Sequence, residues 1–90
     1  MRVALMAYDK IDHLEVRVSN REAHLQYIKQ TGVVEMAGPL LDDSGQMCGS
    51  LIILKVDNMA EANTWAANDP YNQANLFERT TLTEWNKVIG

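Results

Sequence analysis

Val3 to Tyr8 is an unbroken run of apolar and aromatic residues with no alternation, the pattern of a central strand covered on both faces. Asp9 to Asp12 turns polar and charged, which marks a loop. From Leu14 to Gln30 the spacing becomes helical. Two capping boxes compete for the start of this helix, Asp12 with Glu15 and Ser19 with Glu22, so it begins between residues 12 and 20. Gly32 is its expected stop. Val33 to Leu41 reads as a second strand. Gly38-Pro39 within it marks an edge, a bulge or an irregularity, because proline donates nothing to a strand ladder. Asp42-Asp43-Ser44-Gly45 is a turn, and it joins the second strand to a third, Cys48 to Val56, as a β-hairpin. Asn58 caps a second helix, with Glu61 at the capping-box position and Ala62, Trp65 and Ala66 on one face. Asn68-Asp69-Pro70 breaks that helix and opens a short one over Pro70–Asn75. Phe77 to Ile89, rich in threonine and carrying Trp85, is the last strand.

The order β-α-β-β-α-β predicts an α+β, ferredoxin-like unit, an antiparallel sheet with helices on one face. Trp65, Met36 and Leu40 are expected in its core. The strands are too apolar for the other face to stay in water, and pairing two sheets face to face would cover it. The expectation is therefore a homodimer, a dimeric α+β barrel. The length of 90 residues points the same way, since one domain of this size buries only about two thirds of its unfolded surface.

Charge narrows the partners. The chain has 12 acidic and 8 basic residues, a net charge of −4, and its basic residues form no run. Nucleic acid and anionic membrane surfaces are therefore not expected partners, since both need clustered Lys and Arg. No stretch approaches the roughly 18 apolar residues of a membrane span. Cys48 is the only cysteine, so no intramolecular disulfide forms and a cysteine-based metal site would have one sulfur ligand. No cleavage-site pattern follows the N-terminal apolar run, which makes a cytoplasmic location the expectation.

Few side chains are candidates for chemistry. Arg21, His24 and Ile28 share one helical face. A histidine near its ordinary pKa of about 6.5 can shuttle protons at neutral pH, although a structural histidine is the plainer interpretation. Asp69, before Pro70, reads first as a helix N-cap. The alternative is a carboxylate that orients a histidine, as in a triad without its nucleophile. The two roles are compatible if one carboxylate oxygen caps and the other faces His24. His13 lies in or beside a loop. Asp42 and Asp43 fit a solvated turn, and neither Ser44-Gly45 nor Gly49-Ser50 opens a helix as a phosphate loop would. No His/Glu pair stands at metal-binding spacing, and no metal or cofactor is expected.

The chain resembles the YCII-related family, the YciI-like small dimeric α+β barrels. The resemblance rests on Arg21, His24, Leu25 and Tyr27 as R-x-x-H-L-x-Y, on A-G-P-L-L at 37–41, on Gly49-Ser50, on Ala66, Asp69, Pro70 and Tyr71 as A-x-x-D-P-Y, and on L-F-E-R and W-N-K-V-I between 76 and 89. It departs at Asn75, where the family often has glycine; asparagine tolerates a left-handed backbone. The resemblance implies a ferredoxin-like fold, dimerisation through the sheets, and a His–Asp pair at His24 and Asp69. It also implies a pocket with Arg21 for an anionic or phenolate group and Met36, Ser50, Tyr71 and Trp85 in its walls. The family includes a dehydrochlorinase of a chlorinated hydroxyquinol, and muconolactone isomerases share its fold. The expected activity is a cofactor-free lyase or isomerase acting on a small cyclic or aromatic compound. A module that binds a metabolite without reaction is the alternative, and a cofactor-free monooxygenase ranks below both.

Overall fold

A computed structural model describes residues 1–90. The elements are β1 (Arg2–Asp9), α1 (Leu14–Thr31), β2 (Val34–Leu41), β3 (Met47–Lys55), α2 (Met59–Asn68), α3 (Pro70–Gln73) and β4 (Phe77–Trp85). The strands form one antiparallel sheet in the order β2-β3-β1-β4, with the helices on one face. This is the ferredoxin-like α+β arrangement. No helix is long and apolar enough to cross a membrane.

Helix α1 starts at Leu14 after His13, whose side chain makes no capping bond. Neither predicted capping box is used. Asp12 takes a left-handed φ of 59°, and Ser19 and Glu22 lie inside the helix. Gly32 does end it, at φ 67° with its N–H bonded to the Ile28 carbonyl. Strand β2 is an edge strand, so Pro39 faces no ladder that needs its missing N–H on the outer side. The hairpin turn is held by Asp42 Oδ1, which accepts from the Ser44 and Gln46 N–H groups at 2.9 and 3.0 Å. Asn58 Oδ1 accepts from the Glu61 N–H at 2.8 Å and caps α2. Strand β4 ends at Trp85 rather than Ile89, because Trp85 pairs with Arg2 and β1 offers no further residue to pair with.

Alternation sets the two sheet faces. Val3, Leu5, Ser50, Ile52, Leu54 and Leu82 face the helices; Ala4, Met6, Met36, Leu51, Ile53 and Trp85 face away. The core gathers Val3, Leu5, Ile52, Leu54, Val56, Ala62 and Trp65, with Tyr27 and Ile28 of α1 packed against it. Two bonds clasp α1 to α2: the Tyr27 hydroxyl donates to the Trp65 carbonyl at 2.8 Å, and Trp65 Nε1 donates to Thr31 Oγ1 at 2.8 Å. Trp65 is core as expected. Met36 is not. It is 50% exposed on the outer face, and Leu40 is only half-buried. Both belong to the edge strand, where no helix lies over them.

Helix α1 therefore packs in an apolar way only near its C-terminus. Its buried residues are Arg17 and His24. Arg21 lies between them on the same face, so the first turns set a polar stripe toward the sheet. A helix cannot close tightly on a sheet through such a stripe, and a cavity remains beneath it.

Candidate active site

That cavity has a volume of about 150 Å³. Arg17, Arg21, His24, Leu25 and Ile28 of α1 form one wall, and Ala37, Gly38 and Pro39 of β2 another. Met47, Ser50 and Ile52 of β3 form its floor, and Tyr71 of α3 closes one side.

His24 is 6% exposed and Asp69 1%. His24 Nδ1 lies 2.7 Å from Asp69 Oδ1. A carboxylate oxygen only accepts, so Nδ1 carries the hydrogen and Nε2 is left with its lone pair. Nε2 bonds to nothing in the chain, yet it is not sealed away, since Asp69 Oδ2 is the one buried side-chain oxygen or nitrogen without a partner. Asp69 is held by its place between two helices. It ends α2 with an extended ψ of 128°, as a residue before proline should, and its Oδ1 accepts from the Tyr71 N–H at 3.0 Å. Cap and histidine partner are thus the same oxygen, Oδ1, and the expected division between the two oxygens does not occur. The short helix ends at Gln73, and Asn75 after it takes a left-handed φ of 58°.

Tyr71 stacks on His24, with ring centroids 3.9 Å apart and planes 14° from parallel. The stack and the Asp69 bond together fix the imidazole. Burial pushes the Tyr71 hydroxyl above the ordinary phenol value, against the opposing pull of Arg17 and Arg21. Tyr71 is therefore a neutral donor at physiological pH.

Arg17 is not among the residues that stand out in the sequence, although it lies seven residues before His24 on the same face. It is buried, and its Nε and Nη2 donate to the two Asp9 oxygens at 2.7 and 2.8 Å. Nη2 also donates to Ser50 Oγ at 2.9 Å, and Cζ lies 4.7 Å from the Tyr71 ring centre. Burial works against its charge, but the Asp9 bonds outweigh it and the pKa stands above the ordinary value. Strand β1 loses register with β4 between Tyr8 and Asp9, at the residue that holds this guanidinium. Gly49, beside Ser50, is required by packing: a Cβ there would run into the Ala7 carbonyl oxygen of the neighbouring strand.

Of the residues expected at the site, the cavity brings together Arg21, His24, Ser50 and Tyr71, with Asp69 directly behind His24. Arg21 makes no ion pair within the chain. Met36 and Trp85 lie elsewhere. Both point to the outer sheet face, Trp85 38% exposed, and neither lines the cavity of this chain. One residue decides this for each: on β2 Ala37, not Met36, faces inward, and on β4 Trp85 pairs with Arg2 at the far end of the sheet from Tyr71. No group of three or more His, Cys, Asp or Glu side chains converges to hold a metal ion.

The profile of the YCII-related domain matches residues 1–86. The chain belongs to the YCII-related family. It is 34% identical to protein YciI of Escherichia coli, over 99% of this chain and all of that protein. It is 32% identical, over the same shares, to an uncharacterized protein of Haemophilus influenzae. Among solved structures it is similar to the 5-chloro-2-hydroxyhydroquinone dehydrochlorinase of Burkholderia phenoliruptrix in complex with 2,5-dihydroxybenzoquinone. The TM-score is 0.87 at 29% identity, with 96% of this chain and 94% of that chain covered. An antibiotic biosynthesis monooxygenase matches with a TM-score of 0.61 at 10% identity, a likeness of fold alone.

Proposed function

We propose that the chain is a cofactor-free lyase or isomerase acting on a small cyclic or aromatic compound, with His24 and Asp69 as its general acid–base pair. The observation that carries this is the 2.7 Å bond from His24 to Asp69 in the wall of a cavity. The likeness to a dehydrochlorinase with a ring compound bound supports it. His24 Nε2 takes a proton from a ring carbon, and the C–H electron pair forms a new double bond. In an elimination the C–Cl pair leaves as chloride; in an isomerisation the double bond moves and His24 returns the proton. Asp69 holds the tautomer and stabilises the imidazolium. Arg21, Ser50 and Tyr71 bind the substrate. Met36 and Trp85, on the outer face, would serve it only across a pair of subunits.

Two copies would pair through their open sheet faces, where Met36, Leu51 and Trp85 form an exposed apolar surface. We place the protein in the cytoplasm, acting on a metabolite.

The test is turnover of chlorinated hydroxyquinols and lactones. On a compound the wild type converts, His24→Ala and Asp69→Asn should each lower kcat by about 10²–10⁴-fold, the usual share of general acid–base catalysis. Both variants retaining full turnover would rule the pair out. Tight binding of these compounds without turnover in the wild type would favour a binding module.

A further inference from the structure

Next to the cavity under α1 lies a second space, an open cleft of about 490 Å³ between the β1–α1 loop and the β2–β3 hairpin. Asp9, Lys10, His13, Asp42 and Gln46 give it a polar lining. One residue lines both spaces, Met47. The Arg17–Asp9 pair completes the partition, with Arg17 on the cavity side and Asp9 on the cleft side. The two parts of this partition differ in stiffness. Two hydrogen bonds lock the guanidinium to the carboxylate, and both side chains are at most 5% exposed. Met47 is only half-buried, and a methionine side chain turns about its single bonds with no hydrogen bond to break. Its direction is set by a break in the strand. Counting from Ser50 on the helix side, strict alternation would send Met47 to the outer face. But Leu40 pairs with Gly49 and Leu41 with Met47, so Cys48 is an extra residue, a β-bulge. The bulge turns Met47 back to the side of Ala37 and Pro39, where it stands between cavity and cleft.

We infer that Met47 is the length-setting residue of the site. Its side chain confines a ligand to the inner cavity, whose volume of about 150 Å³ holds about one benzene molecule. Once that side chain is shortened, the cleft becomes a second chamber, and it takes a chain that ends in an uncharged polar group such as a hydroxyl. The inference rests on the proposed function only in taking the inner cavity as the ligand's place.

The probes are benzyl alcohol and 5-phenyl-1-pentanol, which carry the same ring and hydroxyl on a short and a long methylene chain. Equilibrium titration of the full chain gives the ratio of their affinities. Met47→Ala should move that ratio toward the longer probe by at least about tenfold relative to wild type, the effect of burying two methylene groups. Met36→Ala, which shortens a methionine on the outer face, should leave the ratio as it is. In the wild type, benzyl alcohol should shift the methyl NMR signal of Met47 more than those of Met6 and Met36, which point to the outer face. An unchanged ratio in folded Met47→Ala, or no binding of either probe to it, overturns the inference. So does an equal change in Met36→Ala. A wild type in which benzyl alcohol leaves the Met47 methyl signal in place overturns it too, and this holds even if Met47→Ala does not fold. The two proposals fail separately. No gain for the longer probe, with turnover lost in His24→Ala, removes only Met47's role; a clear gain with turnover intact in His24→Ala removes only the acid–base pair.

Discussion

Asp69 shows how one side chain can serve two purposes that pull on the same atom. Its Oδ1 accepts from both the Tyr71 N–H and His24 Nδ1, while Oδ2 stays buried and unpaired. Because both bonds use one oxygen, substitution keeps or removes them together. Asp69→Asn keeps an oxygen acceptor of the same size, so it should stay close to wild type in stability. Asp69→Ala loses the cap and leaves the buried His24 N–H without its acceptor, so it should be less stable by at least about 1 kcal/mol, read as a lower urea midpoint. Equal stability of the two would mean that the two bonds at Oδ1 contribute nothing between them. His24 and Asp69 were legible in the sequence, because histidine stands out on a helix and Asp-Pro stands out anywhere. Arg17 was not. An arginine in the first turns of a helix looks like any solvated charge, and only its place one turn before Arg21 on the His24 face hints otherwise. That its partners would be Asp9 and Ser50 depends on the register of β1 against β3, which no local pattern encodes.

Among the elements, those with strong local signals came through: the hairpin at Asp42–Gly45, the Asn58 cap, the Gly32 stop and the break at Asp69-Pro70. The start of α1 and the end of β4 did not. The first had two competing caps and uses neither; the second is set by the length of its partner strand. Strands β1 and β2 are also linked across the outer face, where Arg2 Nη2 donates to Glu35 Oε2 at 3.1 Å and Arg2 Nε to Oε1. That hydrogen bond is the main reason the Glu35 carboxyl titrates below its ordinary value of 4.5. A carboxyl lowered in the folded state stabilises the fold above its unfolded pKa and loses that contribution as pH falls through the folded value. Urea midpoints of wild type and Arg2→Met should therefore differ at neutral pH and converge as the pH drops below 4.5. The pair is exposed, so the difference should be small and should shrink further in salt. A gap that widens on acidification would contradict this sign.

For the molecule as a whole, the ferredoxin-like class follows from the succession of elements and was readable from the sequence. So was the apolar character of the sheet strands, of which Met36, Leu51 and Trp85 are exposed on the outer face. If two copies meet there, Leu51→Glu should turn a dimer into a monomer in sedimentation, since it sets a charge in the middle of the apolar surface. An unchanged dimer would place the interface elsewhere. The polar stripe of α1 has a different kind of consequence, for motion. Its first turns are joined to β1 by the Arg17–Asp9 ion pair and to the α2–α3 junction by the His24–Asp69 bond, while packing on the apolar core begins only at Tyr27. Opening this end needs little apolar surface to be exposed, so it should occur without global unfolding. Amide hydrogens around Val18–Leu25 should exchange with solvent ahead of those in β1 and β3. A ligand bound in the cavity beneath the stripe should slow that exchange, so the same stripe that makes room for a ligand makes its arrival visible in the backbone.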